Sequence, residues 1–161
     1  MRKIRYLSSE EVEWFHDRIL EMTGGERGDL AKANLEFVLE RVKDVGNELD
    51  RDKAVVKKAA FLLYNLVIRH PFINGNKRTA FEVVDAFLEL NGYILRAKTD
   101  EIYGLVSDIS AGKMSQTDVE DWIATNLAKR DKGPRQNHDP AAQEKEGSRK
   151  SRHRQGVQED R

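Results

Sequence analysis

The chain has 161 residues, with 28 basic and 28 acidic side chains and no cysteine. That length favours one domain with a sizeable core. The missing cysteines exclude a disulfide framework and a thiolate-bound zinc, and the balanced charge makes no strong electrostatic demand for nucleic acid or an anionic membrane. No apolar run approaches the roughly 20 residues that span a bilayer. The start, Met1-Arg2-Lys3-Ile4-Arg5, leads into polar and acidic sequence with no signal-peptide core. A soluble, cytoplasmic protein is expected.

The first helix opens at Ser8, where Glu11 occupies the capping-box position and Leu7 and Val12 can form a hydrophobic staple. Val12, Phe15, Ile19 and Met22 follow at helical spacing. Gly24, Gly25 and Gly28 interrupt the chain, and Asp29 is a candidate cap for a second helix with Leu35, Val38, Leu39 and Val42 on one face. Gly46-Asn47 suggests a turn or a short hairpin flap over 45–52. From Lys53 to Ile68 the sequence is apolar on nearly every side, as expected of a buried central helix. Pro71 ends it and drives His70 out of the α region. Helical periodicity returns at Lys77 and runs through Phe81, Val84, Phe87, Leu88 and Leu90 to a stop at Asn91-Gly92. Two further helices are expected. One covers 100–110; the other starts at a second capping box, Ser115 with Asp118, and carries Val119, Trp122, Ile123 and Leu127. The fold class is all-α.

Composition changes near Lys129. The rest holds one large aliphatic residue, Val157, and cannot bury enough apolar surface to offset the entropy of ordering. Residues 1–130 are therefore expected to form the domain and 131–161 a disordered polar tail. Its basic cluster, Arg149 to Arg154, is a weak basis for nucleic-acid binding, since short charge runs are usually solvated.

The chemistry concentrates between the two most apolar helices, in His70-Pro71-Phe72-Ile73-Asn74-Gly75-Asn76-Lys77-Arg78. Orphan N–H groups at a helix N-terminus favour an anion. Lys77 and Arg78 in a first turn have the wrong sign for the helix dipole. Two cations beside Gly75, where backbone can approach closely, make sense if phosphate fills the space. His70, at the other lip, can take a proton near neutral pH. Each part alone has a plainer reading: His70 as a helix cap, Gly75-Asn76 as a turn, Phe72 and Ile73 as core anchors.

Together these residues resemble the motif of the Fic/Doc family, His-x-Phe-x-Asp/Glu-Gly-Asn-Gly/Lys-Arg. The flanks agree: Ala59 to Tyr64 before it, Thr79-Ala80-Phe81 and Leu90-Asn91-Gly92-Tyr93 after it. Gly24-Gly25, Gly28-Asp29 and Leu35…Leu39 resemble the N-terminal part of the Doc (death-on-curing) branch. The resemblance covers roughly 6–127 and implies the Fic/Doc helical bundle. It makes His70 the general base toward a Ser, Thr or Tyr hydroxyl and Phe72 the anchor of the loop. Gly75, Asn76 and nearby N–H groups become the anion hole, and Arg78 the phosphate grip. The implied co-reactants are ATP and Mg²⁺, with the ion at the position of Asn74.

Two departures point to a sub-type. Nucleotidyl-transferring members usually carry glycine where Lys77 stands and a second arginine where Phe81 stands. The Lys77-Arg78-Thr79-Ala80 run resembles Doc, which transfers the γ-phosphate to a threonine of elongation factor Tu. Phosphotransfer to a protein hydroxyl, with a translation factor as a target class, is thus favoured over AMP transfer. A third departure, Asn74 in place of the acidic residue, removes a charged Mg²⁺ ligand. It keeps open a nucleotide- or partner-binding protein without catalysis. The self-inhibitory Ser/Thr-x-x-x-Glu-Gly/Asn motif of many Fic proteins is missing: Glu146 alone is followed by glycine or asparagine, and Ala142 stands four residues earlier. Restraint is therefore expected from a separate antitoxin-type protein.

Overall fold

The structure, a computed structural model, describes residues 2–28 and 31–130. The helix α1 runs over Ser9–Thr23 and α2 over Lys32–Arg41, followed by a 3₁₀ turn at Val42–Asp44. Then come α3 (Arg51–Ile68), α4 (Asn76–Leu90), strand β1 (Tyr93–Leu95), α5 (Thr99–Ser110), α6 (Gln116–Asn126) and strand β2 (Leu127–Lys129). Both expected capping boxes form. The Ser8 and Ser115 side chains accept from the backbone N–H of Glu11 and Asp118, whose carboxylates accept in return. The expected tail, 131–161, and the Asp29 cap lie outside the described residues. At the start of α2, Ala31 occupies the cap position and makes no side-chain cap bond.

The central helix is α3, which packs against α2, α4, α5 and α6. Ala59, Ala60, Leu62, Leu63, Leu66 and Val67 join Leu35, Val38, Phe72, Val84, Phe87, Val106, Ile109, Val119 and Ile123 in one core. The apolar stripe of α1 is rotated from the expected one. Val12, His16, Ile19 and Leu20 are buried, while Met22 is 72% exposed. Asn91 ties the N-terminal segment to the end of α4. It accepts from Arg5 N at 2.8 Å and donates to the carbonyls of Arg5 and Phe87.

The expected hairpin over 45–52 does not form. With the 3₁₀ turn ending at Asp44 and α3 starting at Arg51, too little chain remains for two paired arms. Val45 N bonds to Val42 O and Leu49 N to Gly46 O, giving consecutive turns. Lys58, fully buried in α3, closes them by donating to the carbonyls of Val42 and Lys43 and to Asn47 Oδ1. The sheet lies elsewhere: β1 and β2 pair antiparallel, Tyr93 opposite Lys129.

Candidate functional site

The loop between α3 and α4 is held from below by Phe72, which is 1% exposed. The His16 ring lies flat on it, with centroids 3.8 Å apart and planes 10° from parallel. The same histidine donates from Nε2 to the Asn74 carbonyl at 2.7 Å. Asn76 closes the loop: Oδ1 accepts from Phe72 N at 3.0 Å and Nδ2 donates to Phe72 O at 2.8 Å. The loop is thus bound to α1 and to the first residue of α4 before any ligand arrives.

At the lip beside α3, the last helical turn is fixed by Asn34, which donates to the Arg69 carbonyl, and by Arg69 Nε donating to Asn65 Oδ1. Arg69 holds the C-cap position, so His70 is not the cap. His70 has φ 44°, and among the described residues no other non-glycine has a positive φ. Pro71 disfavours right-handed helical backbone at His70, so α3 does not continue through it. Left-handed backbone is costly for a β-carbon-bearing residue and is found where surroundings over-determine it. The His70 side chain is exposed and has no hydrogen-bond partner among the described residues.

At the other lip, Gly75 is left-handed (φ 78°, ψ 17°) and starts α4 without a side-chain cap. The Asn76 side chain, which could have capped it, is committed to Phe72. Among the described residues no acceptor meets the N–H groups of Asn76, Lys77 and Arg78. Lys77 is exposed and no carboxylate lies within ion-pair distance of it there. Arg78 Nε is buried without a hydrogen-bond partner among the described residues, with Glu82 Oε1 3.9 Å away. Three uncapped N–H groups and the exposed Lys77 therefore mark the start of α4, where an anion is favoured, with Arg78 in the same turn beside Glu82.

Beside this loop runs the glycine-rich segment after α1. Ile73 N donates to Gly28 O and Ala31 N to Pro71 O. Gly25 lies so close that an added Cβ would come within 3.3 Å of Asn74 Cβ. Ile73 is 41% exposed and no core anchor.

The structure brings His70, Asn74, Gly75, Asn76, Lys77 and Arg78 onto one loop and helix start, above Phe72. It assigns the Asn76 side chain to loop closure, leaving its backbone N–H for an anion. Sequence reasoning missed His16. The signal was available: a histidine four residues after Val12 on a buried stripe needs a polar partner.

Magnesium is tested by the donor set. Mg²⁺ is usually held by one or two carboxylates together with substrate phosphates. Among the described residues no three His, Asp or Glu side chains cluster. Asn74 contributes at most a neutral oxygen, and Glu82, one turn into α4, stands beside Arg78. These residues do not fit a protein-held Mg²⁺.

The loop thus joins a helix start that lacks a side-chain cap to a histidine in left-handed backbone at its other lip. The Fic/DOC family profile matches residues 6–88, and the chain belongs to that family. Members of this family are typically transferases acting on proteins. No curated protein matches the chain. Among the described residues no helix is long and apolar enough to cross a membrane.

Proposed function

We infer that this chain is a Doc-like protein kinase that moves the γ-phosphate of ATP to a Ser or Thr hydroxyl, with a translation factor as the target class. The observation that carries the reading is Lys77. It stands in the first turn of α4, where nucleotidyl-transferring relatives usually have glycine, exposed beside Arg78. A side chain there occupies space that a glycine would leave to phosphates, and its ammonium favours a terminal, highly charged phosphate.

In this reading His70 takes the proton from the incoming hydroxyl. The hydroxyl oxygen forms a bond to Pγ as the bond from Pγ to the β-phosphate oxygen breaks, and ADP leaves. Arg78, Lys77 and the first-turn N–H groups hold the phosphates, so catalysis is mainly positioning and charge stabilisation. Phe72, His16 and Asn76 keep the loop in place. Lys77, Arg78 and the first-turn N–H groups balance the phosphate charge themselves, since the loop from His70 to Arg78 contains no carboxylate. Restraint comes from a separate antitoxin-type protein.

The test is incubation with γ-labelled and, separately, α-labelled ATP in a cytoplasmic extract. Label on protein from the γ position alone supports the kinase; label from the α position replaces it with AMP transfer. His70→Ala should lower the transfer by about 10²–10⁴-fold, the usual general-base range. Asn74 favours one second reading, a nucleotide-binding protein without catalysis. It would bind ATP and transfer neither label.

A further inference from the structure

We propose that this site grips nucleotide phosphates without a divalent cation, Lys77 supplying charge that a metal ion would otherwise bring. The inference rests on the nucleotide-binding part of the proposed function and extends it to how the charge is balanced.

Three observations converge on it. The loop offers no carboxylate: Asn74 is neutral, and Gly25 packs against its side chain. Positive charge is in excess. Lys77 is exposed with no ion-pair partner among the described residues, while Arg78 in the same turn is already within ion-pair distance of Glu82, so the uncompensated charge is that of Lys77. The helix start beneath them is uncapped, with Gly75 left-handed and the Asn76 side chain turned inward to Phe72.

The chemistry of the two substitutions is coupled. A carboxylate at this position helps only when a metal sits between it and the phosphates; without the metal, it repels them. A neutral amide removes that repulsion. A lysine in the first turn opposes the helix dipole and is unfavourable until an anion arrives. Asn74 is a poor choice for a metal-bridged site, and together with Lys77 it makes a consistent pair for a metal-free one. The Lys77 ammonium brings one uncompensated positive charge, and Lys77 and Arg78 both offer N–H donors to phosphate oxygens.

The experiment is calorimetric titration with the β,γ-imido analogue of ATP, in millimolar Mg²⁺ and in chelator at matched ionic strength. The wild-type protein should bind in both, with Kd differing by less than about threefold. Lys77→Ala should weaken binding in chelator by roughly tenfold or more, the scale of losing a charge-assisted contact. Asn74→Asp should bind worse than wild type in chelator and recover in Mg²⁺. Because both side chains are exposed, circular dichroism should show folded variants. Wild-type binding seen in Mg²⁺ and weakened tenfold or more by chelator would overturn the inference while leaving the nucleotide reading standing. Absence of binding in both buffers would overturn the reading and the inference with it.

Discussion

His16 does two things at once that no other side chain here can do. Its flat ring covers Phe72, and its Nε2–H satisfies the Asn74 carbonyl. A leucine would keep apolar contact but leave that carbonyl unpaired in a part-buried setting, which costs about 1–3 kcal/mol. His16→Leu should therefore lower stability on that scale and quicken amide exchange over 74–76. If the proposed transfer takes place, the same change should reduce its kcat more than its KM for nucleotide, since the loop is positioned less well. His16→Gln, whose amide N–H reaches a similar place, should restore part of the loss. Equal loss in the two variants would reduce His16 to a packing residue.

At the scale of elements, α3 carries a buried charge and α4 a half-buried one, with opposite consequences. Lys58 in α3 is wholly buried, and its ammonium donates to two carbonyls and one amide oxygen of the segment after α2. Lys58→Met would strand those acceptors. The expected loss is about 2–4 kcal/mol in denaturant unfolding, because breaking a buried charged network costs more than a surface contact. A change below about 1 kcal/mol would show that water satisfies the carbonyls instead. On α4, burial pushes the Asp85 carboxyl above its ordinary 3.8, and the neighbouring Glu89 charge adds to the rise. A carboxyl raised in the folded state favours folding fully below its unfolded value, and that contribution is lost as pH rises through the folded value. Ionised Asp85 thus costs stability at neutral pH. Asp85→Asn should raise the melting temperature by about 1–3 °C near neutral pH, with the gain shrinking as the pH is brought down toward its ordinary pKa. Equal gains at both ends would mean that charge is not the cause.

At the scale of the molecule, α3 is the axis on which four other helices pack, and the site sits where that axis ends. Reversal at His70–Pro71 then sends α4 back along the core. The domain closes on itself through β1 and β2, with Arg130 N bonded to Gly92 O just beyond the pair. Residues after Arg130 hold a single large aliphatic side chain, so the domain is expected to fold without them. A chain ended at Arg130 should melt within about 3 °C of the full-length protein. A fall of about 10 °C or more would show that those residues contribute to the core.

What the sequence determined by itself is local. The capping boxes at Ser8 and Ser115 join residues three apart, and helical periodicity needs only nearest turns, so the helices were readable to within a few residues. Pro71 announced the break, and the spacing from His70 to Arg78 marked the loop. The tertiary structure decided whatever depends on which surfaces meet. Met22 and Ile73 carry apolar side chains yet stay exposed, because the core already closes over Val12, Ile19 and Phe72. Gly46-Asn47 reads locally as a hairpin turn, but Lys58, from the next helix, holds it in consecutive turns. The strands β1 and β2, three residues each, are too short to show alternation, and their pairing joins segments more than thirty residues apart. The anchoring of the loop is of the same kind. His16 and Asn74 are separated by three elements in sequence and are joined by one hydrogen bond, which only the packing of α1 against α4 makes possible.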